Sequence, residues 1–298
     1  MKRALVISKN LIGDALNAGV AIREWFRLKR EDFDEIDLLT NQDHVTRIYH
    51  GLGVKWDMVY TGYPDPEDIT FGKGYTFDKI YNLGAGEAGA YCDQQKCHII
   101  EGFCNQLGID PPRVDTIQDR LGTFKAYHLF YNPWQTLNSL ETKIDEDLVL
   151  FSPFSASCSS QKDNQPPNKM LKPDHWVPII NFLRTLGPIR MLGAPSDRPH
   201  ESWQLSEEEI LTGVRLDLLA ATMKKAKLII TIDNGMGHLA SSQDAKHILL
   251  YPMVLSLNFI IPWGANFTIP IQMEPTQVQP QQLMWSIQKA ARHLISTK

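Results

Sequence analysis

The sequence has few cysteines, no long hydrophobic run and no excess of basic residues. Four cysteines in 298 residues are too few for a disulfide-stabilised scaffold of this size. No stretch approaches the roughly 20 apolar residues that span a bilayer. The apolar run near the start of the chain ends at Ser8, which is too short for the core of a signal peptide. We therefore expect a cytoplasmic protein.

The charge balance is slightly acidic. The chain has 30 Lys and Arg against 34 Asp and Glu, and its net charge is -4. A protein that holds duplex DNA through the phosphates usually carries a basic surplus. The composition therefore disfavours a nucleic-acid partner.

The composition is otherwise that of a soluble globular protein, with 43% hydrophobic and 21% charged residues. Strand-like apolar runs alternate with helical patterns from residue 4 onward, and the alternation restarts at 148 after a polar run. This order predicts an α/β protein with two Rossmann-like domains facing each other across a cleft, over 1–145 and 146–280. An amphipathic helix follows over 281–298, and we expect it to pack back on the first domain.

The clearest motif follows an apolar strand over 228–232. The strand runs directly into Asp233, Asn234, Gly235, Met236, Gly237 and His238, where a helix begins. Ligands of open α/β sheets bind outside the carboxyl ends of the strands, and the free N–H groups of a helix N-terminus suit a diphosphate. The same pattern also fits a plain turn in which Asp233 is only an N-cap.

The first strand-to-helix junction holds a second candidate site. Gly13 permits a tight turn and Asp14 stands at the helix start, where a carboxylate can act as a general base for a hydroxyl. A helix cap is the alternative role for Asp14. We place Asn10 and Gly13 on the acceptor side of the site.

Further candidates for a nucleotide pocket lie in the second half of the chain. Ser152 and Gly193 end predicted strands, and Lys169 and Lys172 precede a helix, where a lysine neutralises a leaving diphosphate. Glu209, with Asp217 as a second carboxylate, is a candidate for holding a ribose.

Other patterns are weak as sites. Cys92, Cys97, His98 and Cys104 crowd together without the paired spacing of zinc ligands, so we expect ordinary thiols and no metal. Asp32 and Asp34 spell D-x-D, but they lie in a polar run that predicts a solvated loop. An incomplete G-x-G pattern disfavours a nicotinamide dehydrogenase.

Several stretches, in this order, resemble glycosyltransferase family 9, the ADP-heptose:lipopolysaccharide heptosyltransferases, which have the GT-B fold. They are Ile12-Gly13-Asp14, Lys169 seven residues before Trp176, the turn at 192–195, and the most diagnostic segment, 218–240. Lys169 is followed by Met-Leu where the family has a Trp-Pro pair, so Lys172 remains an alternative to it.

The resemblance implies a metal-independent, inverting transfer of a sugar from an ADP-heptose-like donor to a hydroxyl of a lipopolysaccharide or other surface glycan. It implies Asp14 as the base, Lys169 as the donor-phosphate lysine, Glu209 at the ribose, and Asp233 with the 234–238 turn as the donor loop. We also expect no cofactor, a monomer, and a glycan or glycolipid acceptor with peripheral contact to the inner membrane.

Two alternatives to this function stay open. A GT-B enzyme of viral type would glycosylate modified DNA bases, and a non-catalytic relative would only bind a nucleotide sugar.

Overall fold

The computed structural model describes residues 1–40, 42–62, 67, 69, 74, 76–112, 145–155, 170–252, 267–273 and 279–297. Lys169 lies outside these residues. The chain divides into two compact units, Met1–Ser139 with Asn258–Gly264, and Leu140–Leu257 with Ala265–Lys298. The division falls at 139/140, where the sequence predicts 145/146.

The first unit is built on a parallel sheet of four described strands, in the order β3-β2-β1-β4. The strands are β1 (Arg3–Ile7), β2 (Glu35–Thr40), β3 (Met58–Thr61) and β4 (Lys79–Asn82). The helices are α1 (Ile12–Lys29), α2 (Asp43–His50), α3 (Ala85–Gln95) and α4 (Ile99–Leu107). Helix α1 lies on the sheet through Trp25, whose ring centroid is 5.0 Å from that of Tyr81.

The second unit has a parallel sheet of six described strands, in the order β10-β9-β8-β5-β6-β7. The strands are β5 (Val149–Ser152), β6 (Ile189–Gly193), β7 (Ile210–Thr212), β8 (Leu228–Ile232), β9 (His247–Pro252) and β10 (Thr268–Met273). The helices are α5 (Pro173–Arg184), α6 (Leu216–Lys225), α7 (Gly235–Ser242) and α8 (Pro280–Ser296). β5 and β8 are buried along their whole length, as central strands covered on both faces are.

The first four described strands of the two sheets have the same arrangement. In each, the first strand is central, the next two strands lie on one side of it, and the fourth lies on the other side. The strand order therefore reverses between β1 and β4, and again between β5 and β8. Ligands of open α/β sheets bind at such switch points, outside the carboxyl ends of the strands.

Three elements have no clear signal in the sequence. Helix α3 contains Gly86 and Gly89, and glycine disfavours a helix by about 1 kcal/mol per residue. β7 is only three residues long. β10 contains Pro270, which an edge strand accommodates because one side of it needs no N–H donor, and the described part of β10 pairs only with β9.

The prediction for the C-terminal helix is corrected. Helix α8 buries Leu283, Ile287 and Leu294 in the hydrophobic core of the second unit, where it contacts β8, β9 and β10. It was expected on the first domain because an amphipathic period shows that a helix has a buried face but does not identify the partner. None of the described helices combines the length and the hydropathy that crossing a bilayer requires.

Candidate functional site

In the second unit, the side chain of Asn234 bridges the two loops at the switch point. Its Nδ2 donates to Ser152 Oγ at 3.0 Å and to the carbonyl oxygen of Phe154 at 2.6 Å, so it ties the end of β5 to the turn after β8. Its Oδ1 accepts from the Gly237 N–H at 2.9 Å. The loops after two adjacent strands and the start of α7 are therefore held as one assembly.

Asn234, not Asp233, is the N-cap of α7. Asp233 precedes the cap and is buried, 4% exposed, at the end of β8. The alternative in which Asp233 serves only as a cap is therefore wrong.

Two of the N–H groups in the turn over 234–238 are used within the turn itself. Gly237 and His238 donate to the backbone oxygen of Asn234, at 3.1 and 3.4 Å, and Gly237 donates to its side chain as well. Helix geometry gives the first-turn amides of Gly235 and Met236 no acceptor within α7. These two N–H groups lie at the positive end of the helix dipole, where negative charge is favoured.

Gly237 is required by the packing of α7 on the sheet. A Cβ atom at this position would lie 2.8 Å from Thr231 Oγ1 on β8 and 3.4 Å from Leu249 Cδ1 on β9. The glycine thus lets the helix N-terminus approach the strand ends closely, as a glycine does in dinucleotide-binding folds. His238, the next residue, is 6% exposed and lies within the unit.

In the first unit, the side chain of Asn10 bridges the loops at the switch point in a similar way. Its Nδ2 donates to Ser8 Oγ at 2.8 Å and to the Leu83 carbonyl at 2.9 Å, and its Oδ1 accepts from the Ala85 N–H at 3.2 Å. It therefore joins the loop after β1 to the loop after β4 and the start of α3. Asn10 is only 5% exposed, so the structure gives it an internal role.

Asp14 lies in the first turn of α1, two residues past the position where the helix begins, and is half-buried. The N-cap of α1 is Leu11, which makes no side-chain cap, so Asp14 is not the cap residue. Gly13 is in the same turn. A carboxylate in the first turn is favoured by the helix dipole, which explains its presence there without further function.

The Asp14 carboxylate lies within electrostatic reach of Tyr49 on α2. Burial raises the pKa of Tyr49, hydrogen bonds with Ser8 and Asn10 oppose the rise, and the negative charge of Asp14 adds to it. Tyr49 Oη also hydrogen-bonds Ser8 Oγ. Asp14 is therefore next to the hydrogen-bonded group that Asn10 organises.

Gly193 and Lys172, two other candidates for binding the nucleotide-sugar donor, lie at a strand end and a helix start of the second unit. Gly193 ends β6 in a tight turn, in which Asp197 Oδ2 accepts from the Ala194 N–H at 2.7 Å. Lys172 is exposed and precedes Pro173, the first residue of α5. Burial lowers the pKa of His175 and the charge of Lys172 lowers it further. Ser152 is 1% exposed, so its hydroxyl serves Asn234.

The structure does not bring Glu209 to the carboxyl edge of the sheet. Both its oxygens bind Arg184, the last residue of α5, at 3.0 and 2.8 Å, and the hydrogen bonds from Arg184 hold the pKa of Glu209 below its usual range. The whole of β7 separates Glu209 from the edge, where Thr212 pairs with Gly193. The position of Glu209 in the sequence, close to the other motifs, suggests a ribose contact. Because β7 runs from Glu209 toward the carboxyl edge, Glu209 lies at the amino end of the strand.

Asp217 is nearer the carboxyl edge but is also engaged. Its side chain is fully buried, and Arg215 binds both oxygens, at 2.6 and 3.2 Å. The Leu218 N–H adds a third hydrogen bond, at 2.9 Å.

The cysteine-rich segment of the first unit has structural contacts. Cys92 Sγ donates to the His98 carbonyl at 3.0 Å, and His98 Nδ1 accepts from the Ile100 N–H at the start of α4. Within the residues that the structure describes, no group of three or more His, Cys, Asp or Glu side chains is placed to hold a metal ion.

Comparisons with known proteins agree with this architecture. Residues 139–286 match the model of glycosyltransferase family 9 (heptosyltransferase). No curated protein sequence matches the chain.

Solved structures similar to the chain include a glycosyltransferase family 9 protein from Veillonella parvula, with 16% identity, 98% of this chain and 97% of that one covered, and a TM-score of 0.63. They also include ADP-heptose lps heptosyltransferase II of E. coli, with 16% identity, coverage of 98% and 99%, and a TM-score of 0.64. E. coli heptosyltransferase WaaC with ADP-2-deoxy-2-fluoro heptose has 14% identity, coverage of 96% and 99%, and a TM-score of 0.59.

Structural similarity at identities this low shows the fold, and the match of residues 139–286 to the family model supports a glycosyltransferase. The resemblance in the sequence and the α/β, GT-B class are thereby confirmed. The chain carries a glycosyltransferase family 9 (heptosyltransferase) domain over residues 139–286, and it is a heptosyltransferase-like glycosyltransferase with a GT-B-like fold.

Proposed function

We propose that the protein transfers a sugar from a nucleotide-diphosphate sugar to a hydroxyl acceptor, and that the second unit binds the donor. The observation that carries this proposal is the turn after β8. It lies at a switch point, within the segment that matches the family, and it offers the Gly235 and Met236 amides at a helix N-terminus. Asp233 lies two residues before Gly235 in the chain.

The donor we propose is ADP-heptose or a close analogue. The family model is that of a heptosyltransferase, and the WaaC structures hold ADP and ADP-2-deoxy-2-fluoro heptose. The departing diphosphate would be stabilised by the two amides and by a lysine, Lys172 or Lys169. Gly193 would shape the neighbouring part of the pocket. Glu209 has no part in this site, because Arg184 holds both its oxygens.

The base in this proposal is Asp14 of the first unit. Its carboxylate takes the proton of the acceptor hydroxyl while the hydroxyl oxygen bonds to the anomeric carbon. The bond from that carbon to the diphosphate breaks at the same time, and the configuration inverts. No metal is needed, since the amides and the lysine carry the leaving-group charge.

The acceptor we propose is a lipopolysaccharide or another surface glycan, with contact to an anionic membrane surface. Helix α8 exposes 62% of Trp285, with Lys289 Nζ 5.1 Å from its ring centroid. The 17 residues of α8 include no Asp or Glu. An aromatic side chain beside basic residues is typical of surfaces that contact lipid headgroups. The monomeric state and the cytoplasmic location stay predictions.

Asp14→Ala tests the reaction. We expect loss of transfer by a factor of about a hundred or more. The dissociation constant for ADP, measured by calorimetry, should be unchanged, because the amides that bind it are in the second unit. Asp14→Asn is the matched control for shape and should be equally inactive.

The donor class is tested on the unmodified protein. Thermal shifts with ADP-, GDP-, UDP- and CDP-sugars should show the largest stabilisation with the ADP-sugar.

Near wild-type transfer by Asp14→Ala would show that the assignment of Asp14 as the base is wrong. Stabilisation by a nucleotide sugar without turnover of any acceptor would indicate a binding protein instead.

A further inference from the structure

In both units an asparagine side chain bridges the loops at the switch point with the same set of hydrogen bonds. In each, one asparagine lies between the loop after the first strand and the loop after the fourth strand. Its amide nitrogen donates to a serine hydroxyl and to a backbone carbonyl, and its oxygen accepts from an N–H at a helix start. Asn10 does this with Ser8, Leu83 and Ala85. Asn234 does it with Ser152, Phe154 and Gly237.

The two asparagines do not occupy equivalent positions in their units. Asn10 follows the first strand of its sheet and reaches toward the fourth, whereas Asn234 follows the fourth strand of its sheet and reaches toward the first. The common cause is the topology. At a switch point the connections leave toward opposite faces of the sheet, so the backbone groups at the two strand ends have no ladder partners there. An asparagine amide supplies two donors and an acceptor in one side chain.

We infer that Asn10 and Asn234 are positioning residues for the transfer reaction, and that they act separately on its two halves. This inference rests on the proposed function. Neither asparagine needs to touch a substrate, because the hydrogen bonds of each amide are directed into its own unit. Asn10 fixes the loop that leads into the Asp14 turn, and Asn234 fixes the loop after β5 against the amides that would receive the diphosphate.

The connection from Asn10 to Asp14 is short. Only Leu11 to Gly13 separate the two residues, and Leu11 makes no side-chain cap that would hold this turn by itself. Asn10, Ser8 and Tyr49 form a buried group, and the charge of Asp14 acts on Tyr49. Releasing Asn10 therefore frees the segment that aims the carboxylate.

Asn234 would affect donor binding through its hydrogen bond to the carbonyl of Phe154. The carbonyl of Phe154 receives the shorter of the two hydrogen bonds from the Asn234 amide, 2.6 Å against 3.0 Å for Ser152 Oγ. Without it the loop after β5 is no longer tied to the start of α7. The Gly235 and Met236 amides would remain, but the loop beside them would lose its fixed position.

Asn234→Ser separates the two tasks of this side chain. Serine is as good an N-cap as asparagine, so α7 keeps its first-turn hydrogen bond, but serine has no amide to reach Phe154. We expect a small change in melting temperature, faster hydrogen exchange over 152–155 in the protein without ligand, and a dissociation constant for ADP raised about tenfold. His98→Ala, which removes the side-chain cap of α4 in the first unit, is the control and should leave ADP binding unchanged.

Asn10→Ala should give the complementary result. We expect kcat to fall by about ten- to a hundredfold while the dissociation constant for ADP stays at the wild-type value. A merely structural defect would lower the amount of folded protein and affect both measurements together, so the split between kcat and ADP affinity identifies positioning. Asn10→Asp, which keeps the acceptor for Ala85, tests whether the donor side of the amide is the part that matters.

The outcomes separate this inference from the proposed function. If the wild-type protein binds ADP and transfers a sugar, yet Asn234→Ser binds ADP normally or folded Asn10→Ala keeps its kcat, the inference is wrong. If exchange over 152–155 is unchanged in Asn234→Ser, the inference is wrong whatever the ligand. If the wild-type protein binds no ADP while the exchange changes as expected, the tie is supported and the proposed donor is wrong.

Discussion

At the scale of single residues, caps and ligand contacts are hard to separate. Asp233 and Asn234 are both strong N-caps by type, and only the backbone conformation of Asn234 decides between them. The same holds for Asp14, which the sequence places at a helix start and the structure places inside the first turn. In both cases the motif was found from the sequence, but the role of each side chain in it was not.

His247 at the start of β9 is another residue whose role depends on burial. Its Nε2 lies 2.9 Å from Thr231 Oγ1, and its Nδ1 lies 3.4 Å from the hydroxyl oxygens of Ser241 and Thr268. Burial, together with a smaller effect of His238, lowers the pKa of His247 to about 3. The ring is therefore neutral in the folded protein under ordinary conditions.

This neutral ring predicts a loss of stability in acid. Below its ordinary pKa of 6.5 the unfolded chain binds a proton that folded His247 does not bind until about pH 3. The free energy of unfolding should thus fall by on the order of 1 kcal/mol per pH unit over this window. Urea unfolding from about pH 7 to about pH 5 measures the slope.

His247→Gln is the comparison for this slope. Glutamine does not titrate, so the variant should be less stable near neutral pH but should lose less stability on acidification. Parallel pH profiles for the two proteins would show that His247 does not contribute to the acid sensitivity.

At the scale of elements, close packing of α7 on the sheet depends on one missing side chain. Gly237→Ala would place a methyl group 2.8 Å from the buried Thr231 Oγ1, in a region of backbone and strand that has little room to move. We expect the free energy of unfolding to fall by about 1–3 kcal/mol, the usual cost of overpacking. Chemical denaturation measures it directly.

Gly86→Ala is the matched control for that experiment. Gly86 is also in a helix, α3, but a Cβ atom there would meet nothing within 4 Å. Alanine should leave the protein unchanged or stabilise it by about 0.5–1 kcal/mol. Equal losses for the two variants would contradict the packing argument.

The elements also show where sequence patterns are informative. The sequence predicts β5 and β8 because a short, mostly apolar run is typical of a buried parallel strand. Helix α3 and strand β10 were missed because Gly86, Gly89 and Pro270 disfavour those elements locally. Packing of α3 on α4 and pairing of β10 with β9 outweigh these preferences.

At the scale of the whole molecule, the C-terminal helix completes the second unit. Leu283, Ile287 and Leu294 are at most 5% exposed in its core, and burying a side chain of this kind contributes about 1.5–3 kcal/mol. Three such residues together approach the entire stability of a typical domain, about 5–15 kcal/mol.

Truncation of the chain after residue 279 should therefore unfold the second unit. Hydrogen exchange over β8 and β9 reports the result, and we expect protection of both strands to be lost. Trp285→Ala is the control, because this exposed side chain should change stability by less than about 0.5 kcal/mol. Wild-type protection of β8 in the truncated chain would show that α8 is dispensable.

The sequence by itself determined the α/β class, the two successive strand-and-helix arrays, and the turn from Asp233 to His238. These features are local, since a strand, its terminal residues and the following helix are contiguous in the chain. The tertiary structure alone decided that Glu209 is at the opposite end of its strand from the site, that α8 packs within the second unit, and that Asn10 and Asn234 tie distant loops together. Such relations depend on strand order and on contacts between residues far apart in sequence, which no local pattern contains.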